Sequence, residues 1–319
     1  MTIGWIALSA ALLAAAVCSC GGGGGGESSA IEAQIDDLFG DAAFGTLNRD
    51  MARRILETPP AEDGPFYMVN YIRHREHAEY PDGRSSDLTG PEADAIYGQL
   101  VFPILLSIGA QPIYVGNVET PLVDRDGAGW DQVTVVLYPS RAQLVSMLGR
   151  DDFRAAAEHK YAGVERSTIL VTDLAAPLLP DELRRVDLAS LPFPSTPADP
   201  PVTVVHLIDF NDVAQFADGR ETDLTGREAL ELYERARTPQ ALPLGVRPGI
   251  RLAVIGELVG DGRPWEEFRI NNFPSRAAFQ QLITAESLDQ AGIENREAAL
   301  HETYALLVAP LINQVGYLE

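Results

Sequence analysis

Two charged blocks of nearly the same wording stand 136 residues apart. Residues 82–97 read DGRSSDLTGPEADAIY and residues 218–233 read DGRETDLTGREALELY, identical at ten of sixteen positions. Asp82, Arg84 and Asp87 in the first block, with Asp218, Arg220 and Asp223 in the second, could form charged clusters beside a pocket. Each Arg would then offer its planar fork to a substrate carboxylate. The same letters also spell a helix start. Thr89-Gly-Pro-Glu92 and Thr225-Gly-Arg-Glu228 both fit the capping box: the Thr hydroxyl accepts from the N–H three residues on, and the Glu reaches back to the Thr N–H. Pro91 in a first turn costs no hydrogen bond, and Asp-Gly is turn chemistry. A cap uses neither the Arg nor the second Asp. Arg84, Asp87, Arg220 and Asp223 therefore remain ligand-binding candidates, with an Arg–Asp pair pinning the loop as the plainer role.

Two further polar residues interrupt apolar runs at matched places. Asn70 lies in Phe66-Tyr-Met-Val-Asn-Tyr-Ile72 and His206 in Val202-Thr-Val-Val-His-Leu-Ile208. Such residues either face the interior of the fold or sit at its mouth, and both are ligand-binding candidates. Of the other histidines, His74 and His77 read as solvated loop residues, and His301 reads as a surface residue. Ser140 and Ser275, each in Pro-Ser-Arg-Ala, read as helix caps. Neither is surrounded by a nucleophile-elbow pattern, which excludes that class of hydrolase. No HxxxH or HExxH spacing and no phosphate loop is present. Cys18 and Cys20 are the only cysteines, so the folded part has no disulfide, thiolate nucleophile or Cys-based metal site. Neither a metal nor a cofactor is expected.

The elements that must position these residues are written twice. Trp130 to Ala142 (WDQVTVVLYPSRA) matches Trp265 to Ala277 (WEEFRINNFPSRA) at an offset of 135, which fits the first repeat in order and spacing. Each unit opens on an apolar, β-branched strand and passes through a loop to a helix beginning near Gly90 or Gly226. Two strands follow, near 111–118 and 131–138 in the first unit and 250–258 and 266–273 in the second. A second helical region follows the Pro-Ser pair, and a last strand closes the unit (168–171; 304–308). This order, β-α-β-β-α-β, is the ferredoxin-like split unit. The fold class is therefore α+β, two tandem ferredoxin-like units packed sheet to sheet as an intrachain α/β barrel with helices outside. Trp130 and Trp265 read as core anchors at strand starts.

The run from Trp130 through Tyr138-Pro139-Ser140-Arg141-Ala142 to Asp152-Phe153, and its partner from Trp265 through Phe273-Pro274-Ser275-Arg276-Ala277, resembles the dimeric α/β-barrel superfamily. Within it the uncharacterised domain family DUF1330 is the most similar. The resemblance covers both units and neither the N-terminal segment nor the linker. It implies the barrel and leaves function open, because the superfamily includes cofactor-free monooxygenases, lactone isomerases and haem-degrading enzymes. Haem-degrading members place an Asn on the first strand, where Asn70 stands, and His159 resembles their haem-ligating His in position.

The first seventeen residues carry no charge, and Val17-Cys-Ser-Cys20 resembles a bacterial lipobox. The expected division is a signal peptide (1–20) ending at a lipidated Cys20, then a Gly-rich tether and helical segment (21–64). The first unit (65–175), a Pro-rich linker (176–200) with seven prolines over 175–201, and the second unit (201–319) follow. With 24 Lys+Arg against 46 Asp+Glu, the net charge of −22 repels phosphate backbones, so nucleic-acid binding is not expected. The resulting expectation is a monomeric lipoprotein of the cell envelope, periplasmic or at the cell surface, whose barrel binds a small apolar ligand or a partner. The alternative is a cofactor-independent monooxygenase or isomerase, and a weaker one is a haem-binding or haem-degrading protein.

Overall fold

A computed structural model describes residues 24–40, 44–124, 126–284 and 290–318. Cys20 and the lipobox lie outside them. Among the described residues there are nine strands: β1 (Thr46–Leu47), β2 (Phe66–His74), β3 (Gln111–Asp124), β4 (Gln132–Tyr138), β5 (Val164–Leu174), β6 (Val202–Phe210), β7 (Arg247–Gly260), β8 (Glu267–Phe273) and β9 (Leu300–Asn313). The strand order is β1-β7-β5-β2-β4-β3-β9-β6-β8, and pairing of β7 with β8 closes the ring. Every pairing is antiparallel. The architecture is thus mixed α+β around a closed, eight-stranded antiparallel barrel, with β1 an appendage on β7.

Both halves run in the same relative order: β5-β2-β4-β3 in the first and β9-β6-β8-β7 in the second. The seams between them are β3 with β9 and β5 with β7. These seams correct the expected strand lengths. β3 and β7 each run 14 residues, well beyond 111–118 and 250–258. The outer part of β3 is mostly exposed and carries polar residues such as Glu119 and Thr120, so it has no buried-strand signature of its own. Backbone pairing with β9 from Val118 to Asp124 holds it extended.

Alternation along each strand decides what faces where. Val69 and Tyr71 of β2, with Val205 and Leu207 of β6, join an inner cluster that includes Trp130, Trp265, Phe268 and Tyr304. The two tryptophans are 4% and 5% exposed, and their rings lie 5.9 and 5.1 Å from that of Tyr304. The barrel interior is therefore packed, and both tryptophans are core anchors.

Helices cover the outside. Over the first half lie α3 (Gly90–Ser107), α4 (Arg141–Leu148) and α5 (Asp151–Gly163); over the second lie α7 (Gly226–Ala241), α8 (Arg276–Thr284) and α9 (Gln290–Ala299). The N-terminal segment packs here too. In α1 (Gly24–Phe39) and α2 (Arg49–Leu56), Ile35, Met51, Ala52 and Ile55 join the first half's outer core. The linker forms a short α6 (Asp181–Arg184) and is tied down by the Arg184 guanidinium donating to Gly316 O at 3.0 Å.

The repeated blocks make the helix starts. Both capping boxes are complete: Glu92 N donates to Thr89 Oγ1 (3.4 Å) and Glu228 N to Thr225 Oγ1 (3.2 Å), while each Thr N–H donates to its Glu at 2.8 Å. The glycine after each Thr has a separate duty. A Cβ on Gly90 would collide with the carbonyl oxygens of Arg75 and Gly163, and one on Gly226 with those of Asn211 and Ala299. Only glycine lets the helix start press against both the loop and the neighbouring helix. Ser140 and Ser275 cap α4 and α8, and a second acceptor supports each helix start. Asp63 receives the N–H groups of Arg141 and Ala142, and Asp199 those of Arg276 and Ala277.

Candidate functional site

The residue that seals each barrel face inward leaves its neighbour pointing outward. Asn70, between Val69 and Tyr71, therefore faces the helical layer and not the barrel interior. His206, between Val205 and Leu207, does the same in the second half. What the two residues meet there differs completely.

In the first half Asn70 opens onto a cleft of about 1620 Å³ between the outer face of β2–β4 and helices α3 and α5. Its walls are largely apolar, including Met68, Ile72, Val136, Leu144, Met147 and Ile169. Polar groups gather along one part of it. His74, at the end of β2, points its Nε2 at Asp94 Oδ2 of α3, 3.1 Å away, with the two side chains 7% and 9% exposed. The expectation of a solvated His74 is thus corrected: β2 runs on through this residue, and α3 lays Asp94 across it. The other oxygen of Asp94 is buried without a partner.

Lys160 of α5 also lines the cleft, with Nζ 5.4 Å from the Phe44 ring centroid and 5.5 Å from that of Tyr97. Burial pulls its ammonium below the ordinary lysine range, and Asp94 offsets part of that. Tyr97, Tyr138 and Tyr161 line the cleft as well. Burial raises all three phenols, Tyr97 most clearly with Tyr138, Asp94 and Tyr161 adding to it, so all stay protonated as donors.

The second half has the same frame, with buried, ion-paired side chains at the place that matches the cleft. Strand register makes the comparison direct: Asn70 pairs with Thr134 and Ile72 with Gln132, as His206 pairs with Arg269 and Ile208 with Glu267. Arg269 ion-pairs with Glu267 and with Glu234 of α7, and its side chain is only 6% exposed. Glu267 also holds Arg227 and Arg251. Leu230 and Phe210 stand where the first half has Asp94 and His74, and Arg296 where it has Lys160. Burial, then the positive charges of Arg296 and Arg269, push the His206 imidazole down to about 3.

The charged residues of the repeated blocks lie elsewhere. Arg84 stacks on the Tyr80 ring at 3.8 Å and bonds Asp82 (2.6 Å) and Glu158 (3.1 Å). Arg220 repeats this with Phe216 (3.6 Å), Asp218 (2.7 Å) and Glu294 (3.0 Å). Each Arg pins its loop to the helix beside it. Asp87 and Asp223 are exposed on the same loops, and none of the four lines the cleft. His159 accepts or donates at Tyr80 Oη (2.7 Å) and does not line the cleft either. His301 is bonded to Asp209 at 2.6 Å, so it has a partner that its sequence neighbourhood does not announce. Among the described residues no cluster of His, Cys, Asp and Glu fit for a metal ion occurs, and no helix is long and apolar enough to cross a membrane.

Lys160, Asp94 and the three tyrosines were not among the candidates legible from sequence. The duplication held a signal for Asp94, which is polar where the second half has Leu230, and none for Lys160, whose counterpart is Arg296.

No family model matches the chain, and no curated protein does. Among solved structures it is similar to RPA0582, a protein of unknown function from Rhodopseudomonas palustris, at 30% identity over 43% of this chain and 98% of that one, with a TM-score of 0.36. It is also similar to a candidate monooxygenase from Lactobacillus acidophilus (9% identity, 80% and 98% covered, TM-score 0.42). A third similarity is to chlorite dismutase from Candidatus Nitrospira defluvii (13% identity, 81% and 94% covered, TM-score 0.38).

Proposed function

We propose that this protein is a binding protein that holds one small, mainly apolar molecule in the first-half cleft. The observation that carries the reading is the asymmetry between halves: one has an open cleft walled by aliphatic and aromatic side chains, while at the matched place in the other Arg269 lies buried with its carboxylates. A volume of about 1620 Å³ exceeds the roughly 300–1,000 Å³ usual for small-ligand sites. At the open side Phe102 and Leu311 are exposed, 43% and 65%, so an apolar molecule entering there meets apolar side chains first.

The second half supplies the test. Thr134→Arg with Gln132→Glu transplants the Arg269–Glu267 pair into the first half at matched register. The wild-type protein is expected to bind the neutral probe N-phenyl-1-naphthylamine at one site, and the double variant to lose most of that binding while staying folded. Undiminished binding in the folded double variant would remove the cleft as the site.

With this reading go the finer structural and cellular ones. The shared relative strand order and the sixteen-residue repeat support a tandem of ferredoxin-like units of the DUF1330 type, acting as a monomer. The apolar leader and Val17-Cys-Ser-Cys20 support lipid anchoring through Cys20 in the cell envelope. A second reading, cofactor-independent monooxygenase or isomerase chemistry, is favoured by one feature. The His74–Asp94 pair at the cleft wall has the geometry of a general base and its orienting carboxylate.

A further inference from the structure

We infer that the molecule held in the first-half cleft is an apolar monocarboxylate, its carboxylate received by Lys160 and the phenols of Tyr97, Tyr138 and Tyr161 while its tail lies along the aliphatic wall. The inference rests on the cleft being a ligand site and adds the chemistry of the ligand's head.

The donors are collected in one place and have nothing to donate to. Among the described residues, Lys160 makes no ion pair or hydrogen bond, only the two ring contacts with Phe44 and Tyr97. Among the described residues none of the three phenol hydroxyls has a hydrogen-bond partner either, although all three residues line the cleft. An ammonium and hydroxyls partly withdrawn from water without protein acceptors carry a desolvation cost that an incoming acceptor relieves. The nearby carboxylate does not fill this role, because Asp94 is directed at His74. Burial already weakens the ammonium form of Lys160, and an anion at hydrogen-bonding distance would restore it.

The count of charges selects the head group. Three cations line the cleft, and Arg73 and Arg75 are ion-paired with Glu165 and Glu79, which leaves Lys160 to match a single negative charge and not the two of a phosphate. A carboxylate's two oxygens offer about four acceptor sites, suited to an ammonium and several hydroxyls together. The aliphatic residues opposite, Met68, Ile72, Val136 and Ile169, suit an alkyl or aryl tail.

The test compares laurate with dodecanol as competitors of N-phenyl-1-naphthylamine, using the full folded chain. A charge-assisted hydrogen bond predicts laurate binding about 10- to 100-fold tighter than dodecanol in the wild-type protein. Lys160→Met should abolish that preference while leaving dodecanol within about two-fold, and Lys160→Arg should restore part of it. Unchanged dodecanol binding in Lys160→Met also shows that the variant is folded. Equal affinities in the wild type, or a preference that survives Lys160→Met, would overturn the carboxylate assignment and leave the cleft standing. If neither competitor displaces the probe, the cleft fails as a site and the assignment falls with it. Benzoate against benzyl alcohol, run in parallel, tells an aryl acid from an alkyl one.

Discussion

Replacing His206 by Asn should flatten the acid sensitivity of folding. His206 lies in the outer layer of the second half, and its imidazole is held down to about 3 by burial first and by Arg296 and Arg269 second. An unfolded chain returns it to about 6.5. The folded pKa is the lower one, so as pH falls below 6.5 the unfolded state binds the proton first. Stability that is fully present above 6.5 is then lost progressively toward pH 3. At pH 5 the drop spans about 1.5 pH units, which at 1.36 kcal/mol per unit is about 2 kcal/mol. His206 keeps some exposed surface, so this figure is a ceiling. Asn is the replacement of choice because Asn70 fills the matched position in the first half. Urea unfolding of both proteins at pH 7, 6 and 5 reads the effect: the wild type should lose up to about 2 kcal/mol more than the variant. Parallel curves of stability against pH would refute the argument that His206 is neutral and enclosed between two arginines.

Three further outcomes follow from the local geometry. Thr89→Ala and Thr225→Ala should each cost roughly 0.5–2 kcal/mol in chemical denaturation, because each removes the acceptor of one helix-start N–H; no loss from either would remove the capping role. Gly90→Ala should be far worse than either, since its Cβ collides with the backbone carbonyls of Arg75 and Gly163; thermal unfolding close to that of the wild type would show that the helix start can back away. Cys20→Ala in the full chain should move the protein from the membrane to the soluble fraction, and unchanged partitioning would end the lipid-anchor proposal.

Most of the frame was legible because the sequence repeats. A ten-in-sixteen match fixed the helix starts, and the apolar runs of β2 and β6 fixed the central strands. The seams were not legible. Glu119 and Thr120 look like loop residues, and only their pairing partners on β9 make them strand. The site was harder still. A single polar residue in an apolar strand, as Asn70 is, identifies a special position without saying which face it takes. Whether Asn70 faced inward depended on Val69 and Tyr71 being claimed by the barrel core. The conspicuous charged loops, by contrast, drew attention to Arg84 and Arg220, whose partners are Tyr80 and Phe216 a few residues upstream and a Glu on the adjoining helix.

The Arg269 plug has a bearing on how such a molecule can change. When two identical chains build a barrel, every substitution occurs twice, so a residue that stiffens one cleft obstructs the other as well. Writing both halves into one chain removes that linkage. Arg269, Glu267 and Glu234 can lock one side of the barrel while Thr134, at the matched register position, leaves the other side vacant. Close packing and open space are thereby divided between the copies, and selection can act on each alone.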